Sequence, residues 1–132
     1  MSGSRYCVVA VSNATGEVAG TIYAVPVGYY PERMAVSPDQ RTVFIAQEDT
    51  DLRCDRTIVS VAIGASEVTV IAEGSWPALS ADGTKLAYLA DAWERSGRPR
   101  PVAAQGPFCG YEAFVIRDLQ TGSETVSGGP PG

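Results

Sequence analysis

The sequence predicts an all-β fold built from a repeated unit of four antiparallel strands. Three observations lead to this prediction. Short runs of β-branched and aromatic residues are separated by turn signals, and the residue spacing of amphipathic helices is nearly absent. One segment of the chain recurs after 43 residues. The segments that would lie in the middle of such a unit are apolar without interruption, which is typical of strands covered on both faces.

Ten strands are predicted from these runs. They comprise residues 7–12, 17–25, 33–36, 42–47, 57–63, 67–72, 78–79, 85–90, 112–117 and 124–127. The uninterrupted apolar runs are Val43-Phe44-Ile45-Ala46 and Leu86-Ala87-Tyr88-Leu89-Ala90. Cys7 is expected to face inward from the first strand.

The recurring segment indicates a β-propeller. Residues 34–43 align with residues 77–86, so that Ser37 matches Ser80. The offset of 43 residues is close to the length of a propeller blade, about 40–45 residues. Labelling the strands of a blade A to D from the axis outwards gives C-D, A-B-C-D and A-B-C-D. We therefore expect a partial β-propeller of about two and a half four-stranded antiparallel blades.

The same labelling divides the sequence into segments. Residues 7–25 form a half blade, and residues 33–72 and 77–127 form one blade each. Residues 1–6 are an N-terminal leader or a tag remnant, and residues 128–132, rich in glycine and proline, form a flexible tail.

The predicted A–B turns carry residues that fit a tight hairpin. Asp82-Gly83 is a strong signal, because glycine adopts a positive φ without a Cβ clash. In the matching turn, Pro38 presets φ and Asp39 is able to bond its own backbone. Gln40 stands where the other turn has glycine, at some cost in strain.

Two stretches resemble known propeller repeats. The first resembles the YVTN family and consists of Val11-Ser12-Asn13-Ala14-Thr15-Gly16-Glu17-Val18, Val27-Gly28-Tyr29-Tyr30-Pro31 and Met34-Ala35-Val36-Ser37-Pro38-Asp39. The second is similar to the shorter TolB-type, WD-like repeat and consists of Gly74-Ser75-Trp76-Pro77-Ala78-Leu79-Ser80-Ala81-Asp82-Gly83-Thr84-Lys85-Leu86-Ala87-Tyr88. The resemblance implies a propeller but almost nothing about function, because these motifs encode turns and packing. Gln40 and the long insertion at 91–110 depart from the pattern.

Composition excludes several classes of function. The 132 residues contain no histidine, which removes Ser-His-Asp and Cys-His nucleophile pairs and histidine-rich zinc sites. A net charge of −5 argues against nucleic acid as a partner. We expect no membrane insertion, because no window approaches the roughly 18 consecutive apolar residues that span a bilayer. No cofactor site and no catalytic constellation are predicted.

The long connections are predicted to lie at one end of the blades, where loops carry function. They are residues 25–32, 47–56 and 91–110. We expect the partner-binding residues among the aromatic and arginine side chains of these loops, namely Trp93, Arg95, Arg98, Arg100, Phe108, Tyr29 and Tyr30. Two alternatives remain open on the sequence alone. The prolines of the third loop would stiffen a surface excursion above a packed Trp93, and Tyr29 and Tyr30 would form a lid on the core.

Two cysteines are predicted in equivalent B–C loops of adjacent blades. A disulfide between Cys54 and Cys109 would stabilise the fold by about 4 kcal/mol on the chain-entropy model, with free buried thiols as the alternative. A bridge would imply an oxidising, extracytoplasmic compartment and a secreted protein. The acidic run of Glu48, Asp49, Asp51 and Asp55 lacks the spacing of a calcium loop, so we interpret it as solvated.

The sequence therefore favours a non-enzymatic propeller scaffold that presents its B–C loops to a protein partner, as a portion of a longer propeller. One alternative is a fragment of a propeller enzyme such as the lactonase-like hydrolases that YVTN-like repeats resemble. Another is a structural surface-layer repeat. The open edges of an incomplete ring leave two alternatives to a fragment, self-association into a ring through the open blade edges and an open stack of sheets.

Overall fold

The computed structural model describes residues 6–49, 56–65, 67–91 and 112–127, and shows an all-β protein. The strands are β1 (Cys7–Val11), β2 (Val18–Ala24), β3 (Tyr29–Val36), β4 (Thr42–Asp49), β5 (Arg56–Ala62), β6 (Val68–Glu73), β7 (Ser75–Leu79), β8 (Lys85–Asp91), β9 (Glu112–Asp118) and β10 (Glu124–Ser127). The predicted all-β class is confirmed, and each predicted strand overlaps an observed one. Within the described ranges there is no helix long and apolar enough to cross a membrane.

The strands form three antiparallel sheets. The first sheet pairs β1 with β2, the middle sheet has the order β3-β4-β5-β6, and the third sheet has the order β7-β8-β9-β10. Every neighbouring pair is antiparallel, and none of the three sheets closes on itself. Strands β3 and β7, which begin the two larger sheets, are edge strands.

Two strands begin three or four residues earlier than predicted. Strand β3 begins at Tyr29 instead of residue 33, and β7 begins at Ser75 instead of residue 78. Each contains a proline, Pro31 or Pro77, and proline is depleted in strands. Proline is tolerated here because an edge strand has one side without a ladder partner. The prediction of a long connection at 25–32 is therefore wrong, since only residues 25–28 separate β2 from β3.

The middle sheet is covered on both faces. One face packs on the first sheet through Val43, Ile45, Val59 and Val61, and the other packs on the third sheet through Phe44, Ala46 and Ile58. Six consecutive residues of β4, from Val43 to Glu48, are buried as a result. This confirms why the sequence of β4 is apolar at successive positions instead of alternating.

Cys7 does not face inward as predicted, because it is exposed in β1. Successive side chains of a strand point to opposite faces, and the residue of β1 that enters the core is Val8. A register shift between Val8 and Val9 interrupts the pairing with β2.

The turns from β3 to β4 and from β7 to β8 have the same hydrogen bonds. Ser37 Oγ donates to Asp39 Oδ1 at 2.6 Å, and Ser80 Oγ donates to Asp82 Oδ1 at 2.7 Å. The serine hydroxyls also accept hydrogen bonds at 3.0 Å from backbone amides five residues later. The backbone φ is 60° at Gln40 and 75° at Gly83. Both turns thus use a left-handed residue at the same position.

These two turns are also neighbours in space. A Cβ atom placed on Gly83 would lie 2.9 Å from Cδ of Pro38. Backbone bonds from Ile63 to Arg41 and from Leu119 to Thr84, at 2.8 and 2.9 Å, join each of these turns to the last turn of its own sheet. We call this the turn end, and the opposite end, where β3 and β7 begin and β4 and β8 finish, the loop end.

Candidate functional site

The candidate site lies at the loop end, where the edge strands β3 and β7 both contain a bulge. The register of β3 against β4 shifts between Pro31 and Arg33, and that of β7 against β8 shifts between Ser75 and Ala78. A bulge redirects the side chains beside it, and bulges are frequent next to functional sites. The redirected residues here include Glu32, Arg33 and Trp76.

Arg33 and Trp76 form a stacked pair on the surface. The guanidinium carbon of Arg33 lies 3.6 Å from the centre of the Trp76 ring, which is the geometry of a cation–π contact. Trp76 is 49% exposed, and Arg33 is exposed as well. The backbone φ of Trp76 is 58°, a left-handed conformation that bulky residues rarely adopt. Pro77 disfavours the right-handed helical conformation for Trp76, the residue before it, so fewer backbone conformations compete with the left-handed one.

The two members of this pair occupy the same position of the sequence repeat. Arg33 and Trp76 are 43 residues apart, the offset that also relates Ser37 to Ser80. Glu32 and Ser75 correspond in the same way. Equivalent positions of the middle and third sheets therefore meet where β7 contacts β3.

A buried polar bridge lies beside the pair and joins the two sheets. The Arg56 guanidinium on β5 donates to Ser75 Oγ on β7 at 2.8 Å, and Ser75 is fully buried. The preceding Gly74 lies close to β8, since a Cβ atom there would lie 2.5 Å from the carbonyl oxygen of Leu89. The bridge fixes the start of β7 and with it the backbone of Trp76.

Two carboxylates complete the cluster. Burial raises the pKa of Glu32 above its ordinary value, and the charge of Glu48 and a hydrogen bond with it raise the pKa further. The positive charges of Arg56 and Arg33 oppose this increase. Glu48 is buried, and its Oε2 accepts a hydrogen bond from the Tyr30 hydroxyl. Glu32 therefore holds a proton more readily than an isolated glutamate does.

The two tyrosines singled out in the sequence lie at this end of the molecule. Tyr29 is half-buried and packs against the core between the first and middle sheets. Tyr30 is half-buried and bonded to Glu48. Beside them, the Tyr23 hydroxyl donates to Gln47 Oε1 at 2.7 Å, and burial raises the pKa of Tyr23. Tyr29 thus covers core residues, whereas the hydroxyl of Tyr30 serves the carboxylate cluster.

The other predicted site residues lie outside the described ranges. They are Trp93, Arg95, Arg98, Arg100 and Phe108 of the third loop, and the cysteines Cys54 and Cys109. Of the acidic run, Glu48 and Asp49 end β4, whereas Asp51 and Asp55 are not described. In the described part of the protein, no three His, Cys, Asp or Glu side chains are grouped so as to hold a metal ion.

The sequence analysis missed five residues of this cluster, namely Glu32, Arg33, Arg56, Ser75 and Trp76. One signal was available, because the 43-residue offset that aligns the turns also aligns Arg33 with Trp76. The cluster combines an exposed aromatic–guanidinium surface with the carboxyl of Glu32, whose pKa is raised.

Comparison with known proteins yields no relative. The sequence matches no family model, no curated protein and no solved structure at a significant level.

Proposed function

We propose that the protein is a portion of a β-propeller that acts as a non-enzymatic binding scaffold for a protein partner. The observation that carries the binding function is the exposed pair of Arg33 and Trp76 at the loop end. Tryptophan and arginine are the side chains most enriched at the energetic centres of protein interfaces. The stacking limits the rotamers of both side chains before any partner arrives, which lowers the entropic cost of binding.

The propeller arrangement is supported by the equivalence of sheet faces. The face of the middle sheet that is covered by the third sheet contains Phe44, Ala46 and Ile58. The register places Ala87, Leu89 and Phe114 at the equivalent positions of the third sheet. We call these three residues, together with Ile116, the outer face of the third sheet.

This outer face is apolar and partly exposed. Phe114 is 45% exposed and Ile116 is 38% exposed, although the opposite face of the same strands is fully buried through Leu86 and Val115. A sheet that is apolar on both faces is typical of one packed between two layers. We infer that a further sheet of the same kind covers this face, as the next blade of a longer propeller.

The loop end is the proposed binding end. Strand β8 ends at Asp91 and β9 begins with its partner Glu112 at this end, so the two strands that the connection 92–111 joins end and begin at the loop end. This connection contains Trp93 and Arg98, the anchors expected from the sequence. The turn end presents hairpins closed by their own hydrogen bonds.

The experiment compares proteins captured by the wild-type protein and by a double variant, W93A with R98A. The matched control is R41A, which removes an exposed positive charge at the turn end. Quantitative mass spectrometry should find at least one partner that the wild type and R41A retain and the double variant loses. Identical sets of captured proteins for all three baits would overturn the proposal.

A second candidate, a hydrolase, is favoured by one observation, the hydrogen-bonded pair of Glu32 and Glu48 with the raised pKa of Glu32. Perturbed carboxyl pairs are common among catalytic acids and bases. Assay of a lactone panel with added divalent metal tests this candidate. Turnover of a lactone by the wild type that is lost in E32Q would establish hydrolysis. If the wild type turns over none of the lactones, the binding scaffold remains the proposed function.

A further inference from the structure

We propose that the Arg33–Trp76 pair is a binding site for a single planar carboxylate on a partner polypeptide. This inference deepens the proposed function and rests on it for the nature of the partner. Three features of the site support it: the donors of Arg33, the backbone beneath Trp76 and the charge of the surroundings.

The first feature is the orientation in which Arg33 is held. A guanidinium stacked face-on over an aromatic ring uses its π face for the stack and keeps its N–H donors in the plane, directed away from the ring. Apart from the stack on Trp76, neither a hydrogen bond nor an ion pair engages Arg33 among the described residues. The fork of donors that matches a carboxylate is therefore accessible from solvent.

The second feature is the rigidity of the platform. Trp76 has a left-handed φ of 58° and follows directly after the fully buried Ser75, which Arg56 holds at 2.8 Å. Gly74, one residue earlier, is packed against the carbonyl oxygen of Leu89. A half-exposed tryptophan in an unfavourable backbone conformation, secured by the buried residues before it, is a feature found at ligand sites.

The third feature is the charge around the pair, which selects the ligand class. Arg33 and Arg56 are balanced by Glu32 and Glu48, the charges that act on the carboxyl of Glu32. A dianionic phosphate or a polyanion would be repelled by these carboxylates and by the net charge of the whole protein, which is −5. A cationic ligand would have to displace Arg33 from Trp76. A monoanionic carboxylate pairs with one guanidinium and satisfies both constraints.

Two sources present this chemistry on a polypeptide, an acidic residue within the sequence and the free carboxylate at the C-terminus. Four capped peptides distinguish them. Acetyl-Gly-Glu-Gly-amide and acetyl-Gly-Gly-Gly with a free C-terminus contain one carboxylate each. Acetyl-Gly-Gln-Gly-amide and acetyl-Gly-Gly-Gly-amide are their neutral counterparts.

The test is a titration of the ¹⁵N-labelled protein of 132 residues with each peptide into the millimolar range, where single charge-assisted contacts become measurable. The resonances to follow are the indole N–H of Trp76, assigned with W93F, and the Nε–H of Arg33. We expect saturable shifts of both with at least one carboxylate peptide and with neither neutral peptide. The peptide that causes the shifts identifies the source.

The variant R33K separates recognition by a planar fork from simple charge attraction. Lysine keeps the charge but has no bidentate fork, so we expect affinity to fall by about tenfold or more. The control R41K, at the turn end, should leave the titration unchanged. Equal binding by R33K, equal binding of the neutral peptides, or binding of acetyl-Gly-Arg-Gly-amide in preference to the acidic peptides would each overturn the carboxylate site.

The outcome is distinguishable from failure of the proposed function. If no carboxylate peptide shifts Trp76 or Arg33, the carboxylate site is wrong even if W93A with R98A loses a captured partner. If the baits all capture the same proteins while the acidic peptide still binds, the carboxylate site stands and the proposed scaffold function falls.

Discussion

The guanidinium carbon of Arg33 lies 3.6 Å from the centre of the Trp76 ring, and the two residues are 43 positions apart in the sequence. The same offset relates Ser37 to Ser80, whose turns are adjacent at the other end of the strands. Equivalent parts of the middle and third sheets thus meet at both ends of β3 and β7. This relationship is expected when successive sheets are related by a rotation about an axis beside their first strands.

The left-handed residue of the turn end gives the first prediction. Gln40 has a φ of 60°, and its amide donates to the Ser37 carbonyl at 2.9 Å, a bond that uses no side-chain atom. Gln40→Gly removes the Cβ clash and should raise the free energy of unfolding by about 0.5–1 kcal/mol. Urea denaturation measures this change.

The reverse substitution in the matching turn is the control. Gly83→Gln places a Cβ atom 2.9 Å from Cδ of Pro38 at a φ of 75°, and should lower the free energy of unfolding by more than about 1 kcal/mol. If both substitutions changed the free energy of unfolding in the same direction and by the same amount, the two turns would not be equivalent.

The close approach at Gly74 gives the second prediction. Gly74→Ala would place Cβ 2.5 Å from the Leu89 carbonyl oxygen and 2.8 Å from Cδ2 of Tyr88. Because both neighbours are held in β8, we expect a loss of about 1–3 kcal/mol in the free energy of unfolding. Gly20→Ala in β2 is the control, since nothing lies within 4 Å of its added Cβ. If the loss for Gly74→Ala is no larger than that for Gly20→Ala, the close approach of Gly74 to β8 is contradicted.

The carboxyl pair gives a prediction about neutral pH. Burial and Glu48 raise the pKa of Glu32, so folding is opposed by its ionisation and stability is lost as pH rises through this pKa. Glu32→Gln keeps a donor for Glu48 without the negative charge. It should raise the free energy of unfolding at pH 7 and have little effect at a pH where Glu32 is protonated. Glu17→Gln, an exposed site at the turn end, is the control, and an equal gain there would attribute the effect to net charge.

The turn aspartates give a prediction of the opposite sign at acidic pH. Hydrogen bonds from the Thr84 amide and hydroxyl and from Ser80 lower the pKa of Asp82 from 3.8 to about 2. Their contribution to stability is complete above the ordinary pKa and is lost as pH falls from about 4 towards 2. Asp82→Asn should therefore lose less stability than the wild type between pH 5 and 2, as followed by urea midpoints. Parallel loss in the two proteins would contradict this assignment.

The elements of the fold could be predicted from local signals, and the errors have specific causes. Strand β4 was recognisable because six buried residues in succession leave an apolar run. Strands β3 and β7 were shortened in the prediction because Pro31 and Pro77 are compatible with a strand only at a sheet edge, and edge position is a property of the whole sheet. Whether Cys7 points into the core depends on which face of β1 is buried, and a strand of five residues is too short for its sequence to decide this.

The candidate site was less predictable for a related reason. Arg56 reaches Ser75 from another strand, and Arg33 meets Trp76 across the boundary between two sheets. Nothing local to either residue reveals such a contact, and only the repeat offset relates them. The bulges that turn these side chains towards each other arise from pairing within each sheet.

The most direct test of the proposed rotational arrangement is a set of three distances between spin labels, measured in pairs by electron paramagnetic resonance. The label sites are Asn13, Ala65 and Gln120, exposed residues in the last turns of the first, middle and third sheets. A propeller of four to eight blades predicts equal distances for adjacent sheets, and a distance from Asn13 to Gln120 about 1.4–1.85 times as long. Unequal adjacent distances, or a ratio of about 2 as in a stack without rotation, would contradict it.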